Sequence, residues 1–322
     1  MNYRTLGRTG LKISEIGYGA WGIGKEMWQG AEDSVSLNAL RKAVDLGLNF
    51  IDTALAYGNG HSENLVGKLL KERKEQIYVA TKIPPKNRTW PAIPGSKLRD
   101  VFPATYIREC TERSLRNLKV EVLDLEQFHV WLDDWAQDTE WSDAIGQLKE
   151  EGRIRFCGIS INDYQPENAL KTAETGKIDA FQVIHNIFHQ KPEEKLFPTC
   201  AAKNIGVLVR VPFDEGGLTG NITPATKFPG GDFRNEYFRG ERKKQVSDRV
   251  DKLKKLLGSE AKTVPELALR FCLQHPAVST VIPGMRSPRN VELNCAVSDG
   301  SKLSSGLVEE LRTHTWERNF YV

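Results

Sequence analysis

Four side chains stand where chemistry could be done: Asp52 and Tyr57 in FIDTALAYG, Lys82 in VATK, and His129 in LEQFHVW. Each sits at the end of a short apolar run with the character of a β-strand. A carboxylate, a phenol, an amine and an imidazole brought together are what a carbonyl-reducing site needs. Taken singly, each has a plainer reading. Asp52 could cap a turn, Lys82 could neutralise a buried carboxylate, Tyr57 could be a rim aromatic and His129 a satisfied core histidine. What joins them is their place at strand ends, because in a parallel barrel the residues just past the strands converge on one mouth.

The elements that must position them alternate along the chain. After EIGYG (15–19), a short strand, residues 33–47 carry Leu37, Leu40, Ala43 and Val44 at helical spacing, with Gly47 as a stop. Strands then read at NFID, QIYVATK, VLDLEQFH, IRFCGIS, DAFQVIH, GVLVRV and VSTVIPG. Helices read at SENLVGKLLKER, ATYIRECTERSLRNL, TEWSDAIGQLKEEG, QPENALKTAETG, PEEKLFPTCAAKN, VPELALRFCLQH and SPRNVELNCAV. Eight strands in strict alternation with eight main helices predict a parallel sheet closed into a (β/α)8 TIM barrel of the α/β class. An N-terminal hairpin (YRTLGRTGLKIS, turning at Arg8–Gly10) is expected before the barrel. Extra helices are expected near 241–257 and after Ser304, the last packed outside. No linker composition divides the chain, so residues 1–322 are read as one domain.

Composition narrows the partners. With 45 basic and 42 acidic residues the net charge is only +3, which gives no reason to expect nucleic acid or a membrane surface as partner. The longest apolar runs fall short of a membrane span, and MNYRTLGRTG lacks the apolar core of a signal peptide. Five scattered cysteines without a CxxC pair suit free thiols in a reducing cytoplasm. No metal site is expected. Gly17, Gly19 and Gly22 spell a literal GxGxxG. The segment after it is loop-like, so a dinucleotide-fold reading, which needs a helix there, is set aside in favour of tight backbone turns at the barrel mouth.

With the barrel and the four residues in hand, the chain resembles the aldo-keto reductases. FIDTA-x-x-YG, ATK, LEQFH, GRIRFCGIS, FQVIHN, GGLTG and IPGMRSP fall in the family's order along nearly the whole chain. The resemblance implies that Tyr57 is the general acid that protonates the carbonyl oxygen. Lys82 would lower its pKa, Asp52 would pair with Lys82, and His129 would orient the substrate carbonyl. It implies NADPH as cofactor, with NAD as the other option, and an aldehyde or ketone as substrate. It also implies a second reading, a cofactor-binding regulatory subunit acting through a protein partner.

The implied cofactor site is drawn from several segments: Gly19 and Trp21 with Asp52 near the first strands, then Ser160, Asn162 and Gln182 for the carboxamide. The family usually has the Ser and Asn adjacent, whereas here Ile161 separates them. Arg210 falls where many members place an aromatic that stacks on nicotinamide. Pro212, Phe213, Gly217, Leu218 and Gly220 form a loop expected over the pyrophosphate. Gly284, Met285, Arg286, Arg289, Asn290 and Asn294 resemble the adenosine grip, with Arg286 and Arg289 as candidates for the 2′-phosphate or else a solvated helix start. Tyr57 and His129 are joined as substrate contacts by Trp21, Trp28, Trp90 and Trp131. Arg88 also falls here, in a loop that carries Lys86, Lys97 and Arg99 as well. Aromatic faces beside basic groups suit a sugar or other polyhydroxy carbonyl, acidic or neutral.

Overall fold

Period-two alternation places the chemistry on the barrel's inner wall. In the computed structural model, which describes residues 1–322, eight parallel strands follow a two-stranded hairpin. The hairpin strands are β1 (Tyr3–Thr5) and β2 (Lys12–Ser14). The barrel strands are β3 (Tyr18–Gly19), β4 (Phe50–Asp52), β5 (Tyr78–Ile83), β6 (Leu123–Phe128), β7 (Ile154–Ser160), β8 (Ala180–Ile184), β9 (Gly206–Arg210) and β10 (Thr280–Val281). Each pairs with its neighbour in sequence. The ring closes where Ile16 meets Val281 and Gly19 meets Gly284 in parallel bridges. Gly19 is required there, since a Cβ would stand 2.6 Å from the Ile282 carbonyl oxygen.

Two layers of side chains fill the barrel. The lower is apolar: Phe50, Ala80, Leu125, Ala180 and Leu208 form one buried cluster with Leu6 and Ile13 of the hairpin. The hairpin therefore plugs the bottom. Two residues further along the same strands stand Asp52, Lys82, Gln127, Gln182 and Arg210, which make the polar layer at the C-terminal mouth. The alternate positions face the helices. Thr81 donates to Glu63 of the helix His61–Glu72, and Thr111 of the helix Ala104–Leu118 donates to Glu126.

The structure departs from the expected elements in several places, among them the strand expected over VSTVIPG, which is only Thr280–Val281. EIGYG contributes only Tyr18–Gly19 as strand, because Glu15 turns to an ion pair with Arg4 at 2.9 Å. The helix expected over QPENALKTAETG shrinks to Leu170–Glu174. Asn168 there spends its side chain on the Asp133 amide (2.8 Å) and the Trp131 carbonyl (2.6 Å), a competition that disfavours helix. The last helix, Ser305–Arg312, forms, but the tail beyond it turns back over the barrel mouth. There Arg318, 4 % exposed, pairs with the fully buried Asp214 inside a ring of Tyr164, Phe188, Trp316 and Phe320. The five cysteines are free and buried. No helix is long and apolar enough to cross a membrane.

Candidate active site

Lys82 organises the mouth. Its ammonium, fully buried, donates to Asp52 Oδ2 at 2.6 Å, to the Thr53 carbonyl at 2.8 Å and to the Tyr57 hydroxyl at 3.2 Å. The other Asp52 oxygen accepts from Gln182 Nε2 at 2.7 Å and Gln127 Nε2 at 3.2 Å. The carboxylate is thus held by a cation and two amides, which is what a buried charge requires. Tyr57 comes from the turn after β4 and lies edge-on to His129, ring centres 5.7 Å apart. The backbone N–H of His129 donates to the Ile83 carbonyl at 3.0 Å, which fixes the residue just past β6. Its Nδ1 is buried without a partner.

The electrostatics assign protonation states. Burial pushes the Tyr57 phenol well above its ordinary value, and the Asp52 carboxylate adds to this, with Arg210 opposing. The expected lowering by Lys82 is not the net effect here, because burial dominates. Tyr57 therefore holds its proton at neutral pH. Burial, reinforced by the charges of Lys82 and Arg210, drives His129 well below the ordinary imidazole range, so it is neutral and can donate one N–H. Burial also lowers Lys82, against the pull of Asp52.

Asp52, Tyr57 and His129 line a cleft of about 900 Å³, at the upper end of the volume of small-molecule sites. Ser160, Asn162 and Gln182 line it below Tyr57, and Gly19, Trp21 and Trp28 line one side. Pro212, Phe213, Gly284, Arg286 and Asn290 line it as well. The structure leaves other expected residues outside. Trp131 is wholly buried, its indole donating to Thr172 at 2.8 Å within a cluster of Phe128, Trp135 and Trp141. Arg88 and Arg289 are exposed away from the cleft, as are Lys86 and Lys97. Met285 and Leu218 are core, and Asn294 is buried outside the lining. Gly217 packs against Asp214 and Val246 rather than facing the cleft, and Gly220 lies near Val264. Trp131, Met285, Leu218 and Arg289 each sit next to a residue that lines the cleft (Val130, Gly284, Thr219 and Asn290), and their side chains take another direction.

Arg210 is tied down. Its Nη2 donates to Asp163 at 2.7 Å and to the Ile161 carbonyl at 2.9 Å. Asp214, the acid nearest in sequence, is taken by Arg318 instead. Asn162 accepts from the Trp131 amide at 3.1 Å and donates to Gln165 at 3.3 Å, which fixes its carboxamide at the cleft wall. Arg286 donates to the Gln29 carbonyl at 2.8 Å and lies over Trp28, 5.6 Å from the ring centre. Gly22 leaves room for it, since a Cβ there would stand 2.8 Å from Arg286 Cδ.

Several residues of the site carry no signal in the motifs. Gln127 is readable in hindsight from the alternation Leu125–Gln127–His129. Asp163, Glu215, Phe233, Arg234 and Tyr321 are not, since they reach the cleft from loops and the tail. Phe233 joins the loop of residues 221–233 to the segment around Met27, through its amide and the Met27 carbonyl at 2.8 Å, and packs on Trp21 with ring centres 5.4 Å apart.

A closed parallel barrel with an Asp–Lys–Tyr–His cluster at its C-terminal mouth defines an oxidoreductase-type site on a TIM barrel. The model of the aldo/keto reductase family matches residues 15–315. Aldo-keto reductase YhdN of Bacillus subtilis is 32% identical over 299 residues, covering 91% of this chain and 87% of the relative. The NADH-specific methylglyoxal reductase of Escherichia coli is 30% identical over 302 residues, covering 90% and 91%. The solved glycerol dehydrogenase of Gluconobacter oxydans superposes with a TM-score of 0.80 at 29% identity, covering 97% and 94%. The chain belongs to the aldo/keto reductase family.

Proposed function

We propose that this protein is an NADPH-dependent carbonyl reductase in which Tyr57 is the general acid. The observation that carries the reading is the Lys82 ammonium, which bridges Asp52 and the Tyr57 hydroxyl in one buried hydrogen-bonded set. When bound, a reduced nicotinamide supplies the hydride to the carbonyl carbon. The chain's residues do the rest. Neutral His129 donates to the carbonyl oxygen and aligns it. Tyr57, protonated at rest, gives its proton to that oxygen as the C=O bond becomes C–O–H. Lys82 stabilises the resulting phenolate, and solvent restores the proton. Asp52 holds Lys82 in place as a positioning residue.

The cleft suits a dinucleotide. Ser160, Asn162 and Gln182, the expected partners of the carboxamide, line it together with Tyr57, Arg286 and Asn290. Arg286 has no carboxylate partner, only the Gln29 carbonyl, so it has donors left for a 2′-phosphate. That favours NADPH. NADH remains the competing cofactor, since a relative is named as NADH-specific. Five free thiols fit work in the cytoplasm, with one barrel domain carrying the whole site and a small carbonyl compound as partner.

The test is NADPH and NADH consumption across a panel of aldehydes, ketones and sugars, with Tyr57→Phe as control. Removing the proton donor while keeping the ring is expected to lower kcat by about 10²–10⁴-fold with cofactor affinity little changed. A variant that keeps more than about a third of wild-type kcat rejects Tyr57 as the acid. A wild type that binds NADPH but reduces nothing points to the regulatory-subunit reading.

A further inference from the structure

We propose that Asp163, Arg210 and Glu215 form a hydroxyl-reading subsite beside Tyr57, which selects neutral polyhydroxy carbonyl compounds. This rests on the carbonyl-reductase reading of the same cleft. All three residues line the cleft with Tyr57 and His129, and Tyr321 from the tail joins them. Each is anchored by one atom and has another left over. Asp163 gives Oδ1 to Arg210, and its Oδ2 has no protein partner. Arg210 uses Nη2, while its Nε is shielded from solvent and unpartnered. Glu215, 7 % exposed, accepts the Tyr321 hydroxyl through Oε1, and its Oε2 has no protein partner.

The backbone shows that Glu215 is held in place rather than left there by chance. Val211, Asp214 and Glu215 all have positive φ (55°, 51° and 53°), a region costly for residues other than glycine. Asp214 is locked by Arg318 and by the Tyr237 hydroxyl at 2.9 Å, and Asn186 holds the Val211 carbonyl at 2.9 Å. The tail thus fixes a strained turn whose effect is to present a carboxylate to the cleft.

The chemistry of the leftover atoms selects the ligand. The cluster has two carboxyl groups to one guanidinium, and burial raises Glu215 to about 7, so near neutral pH it can both donate and accept. A phosphate or carboxylate group offers only acceptors and so leaves Asp163 Oδ2 without a donor. An alkyl chain satisfies none of the three. A hydroxyl both donates and accepts, so neighbouring hydroxyls can donate to Asp163 and Glu215 and accept from Arg210. Trp21, Phe233 and Tyr321 supply aromatic faces for the carbon skeleton, with Phe233 and Tyr321 stacked at 5.9 Å. The basic side chains Lys86 and Arg88, which the sequence offers for an acidic substrate, lie outside the cleft. Arg234, which lines the cleft, is taken by Asp232, so the groups left over beside Tyr57 favour a neutral substrate.

Hydroxyls could come from the substrate or from a cofactor ribose, and the experiment separates the two. With the holoenzyme at saturating NADPH, kcat/KM is measured for D-glyceraldehyde and for propanal, in wild type, Glu215→Gln and Asp163→Asn. A hydrogen bond to a charged group is worth about 1.5–3 kcal/mol, or roughly ten- to a hundred-fold. The ratio of glyceraldehyde to propanal should favour glyceraldehyde in wild type and fall at least about ten-fold in each variant. NADPH affinity, read by fluorescence titration, should stay within about two-fold. Calorimetric binding of xylitol to the NADP⁺ complex should weaken in parallel. An unchanged ratio with NADPH weakened about ten-fold gives the cluster to the cofactor ribose and overturns the proposal, as does an equal loss on both aldehydes. If wild type reduces neither aldehyde, the xylitol titration still decides. Binding lost in the variants upholds the subsite while rejecting the reductase reading, and no binding in wild type rejects the subsite.

Discussion

Replacing Lys82 by methionine keeps the length of the side chain and removes its charge. The consequence can be worked from its contacts. The ammonium is completely buried and Asp52 is 3 % exposed, so water cannot step in for the lost partner. Asp52 Oδ1 would keep its two amide donors, at 2.7 and 3.2 Å, but Oδ2 would be left with none. Breaking a buried pair by removing one partner costs about 3–5 kcal/mol, because an uncompensated charge remains. The double variant Asp52→Asn with Lys82→Met removes that charge and should recover most of the loss. Activity should not recover with it, since Tyr57 has lost the amine 3.2 Å from its hydroxyl. The assay is urea unfolding at pH 7, followed by tryptophan fluorescence, alongside kcat for any accepted aldehyde. A single variant within about 1 kcal/mol of wild type would refute the reasoning. So would a double variant no more stable than the single.

The other predictions follow from burial and placement. Arg286→Ala should raise KM for NADPH about ten-fold or more and leave NADH nearly unchanged, since it removes a charged donor to the 2′-phosphate; equal effects on both cofactors would reject that role. Trp90→Ala should raise KM for substrate, because Trp90 lines the cleft with its ring centre 5.9 Å from that of His129. Trp131→Phe should instead lower stability, with KM unmoved, because its indole bonds Thr172 inside the core; a KM change as large as that of Trp90→Ala would contradict its burial. Burial raises Glu126 to about 8, with Thr111 donating to it and so opposing. The folded state then keeps a proton that the unfolded chain releases above about 4.5, so its stabilising share is full below that pH and is lost as pH rises to about 8. Relative to wild type, Glu126→Gln should gain stability over that window and level off beyond it, which unfolding midpoints from pH 4 to 9 would show.

The strand-and-helix order was legible in the sequence because the barrel is built from local units. A strand buried on both faces reads as an apolar run, and a crossover helix reads as a 3.6-residue stripe, without reference to anything distant. The placement of Asp52, Lys82 and His129 at strand ends came with it, since strand direction and period two decide which side chains point inward. Gln127 obeys the same rule and could have been read from it. The sequence also carried Tyr57, through the FIDTALAYG segment. Tertiary structure alone decided what stands around these residues. Trp90 and Trp131 look alike in sequence, yet one lines the cleft and the other packs beneath it, because loop paths choose side-chain direction where no periodicity operates. Arg210 meets Asp163, not the nearby Asp214, because Arg318 arrives from 104 residues away to take that acid. The protonation of Tyr57 and His129 likewise depends on burial and neighbouring charge, which are properties of the assembled barrel mouth and not of any segment. The cluster of Asp163, Arg210, Glu215 and Tyr321 is brought together only when the tail folds back, so no spacing along the chain announces it.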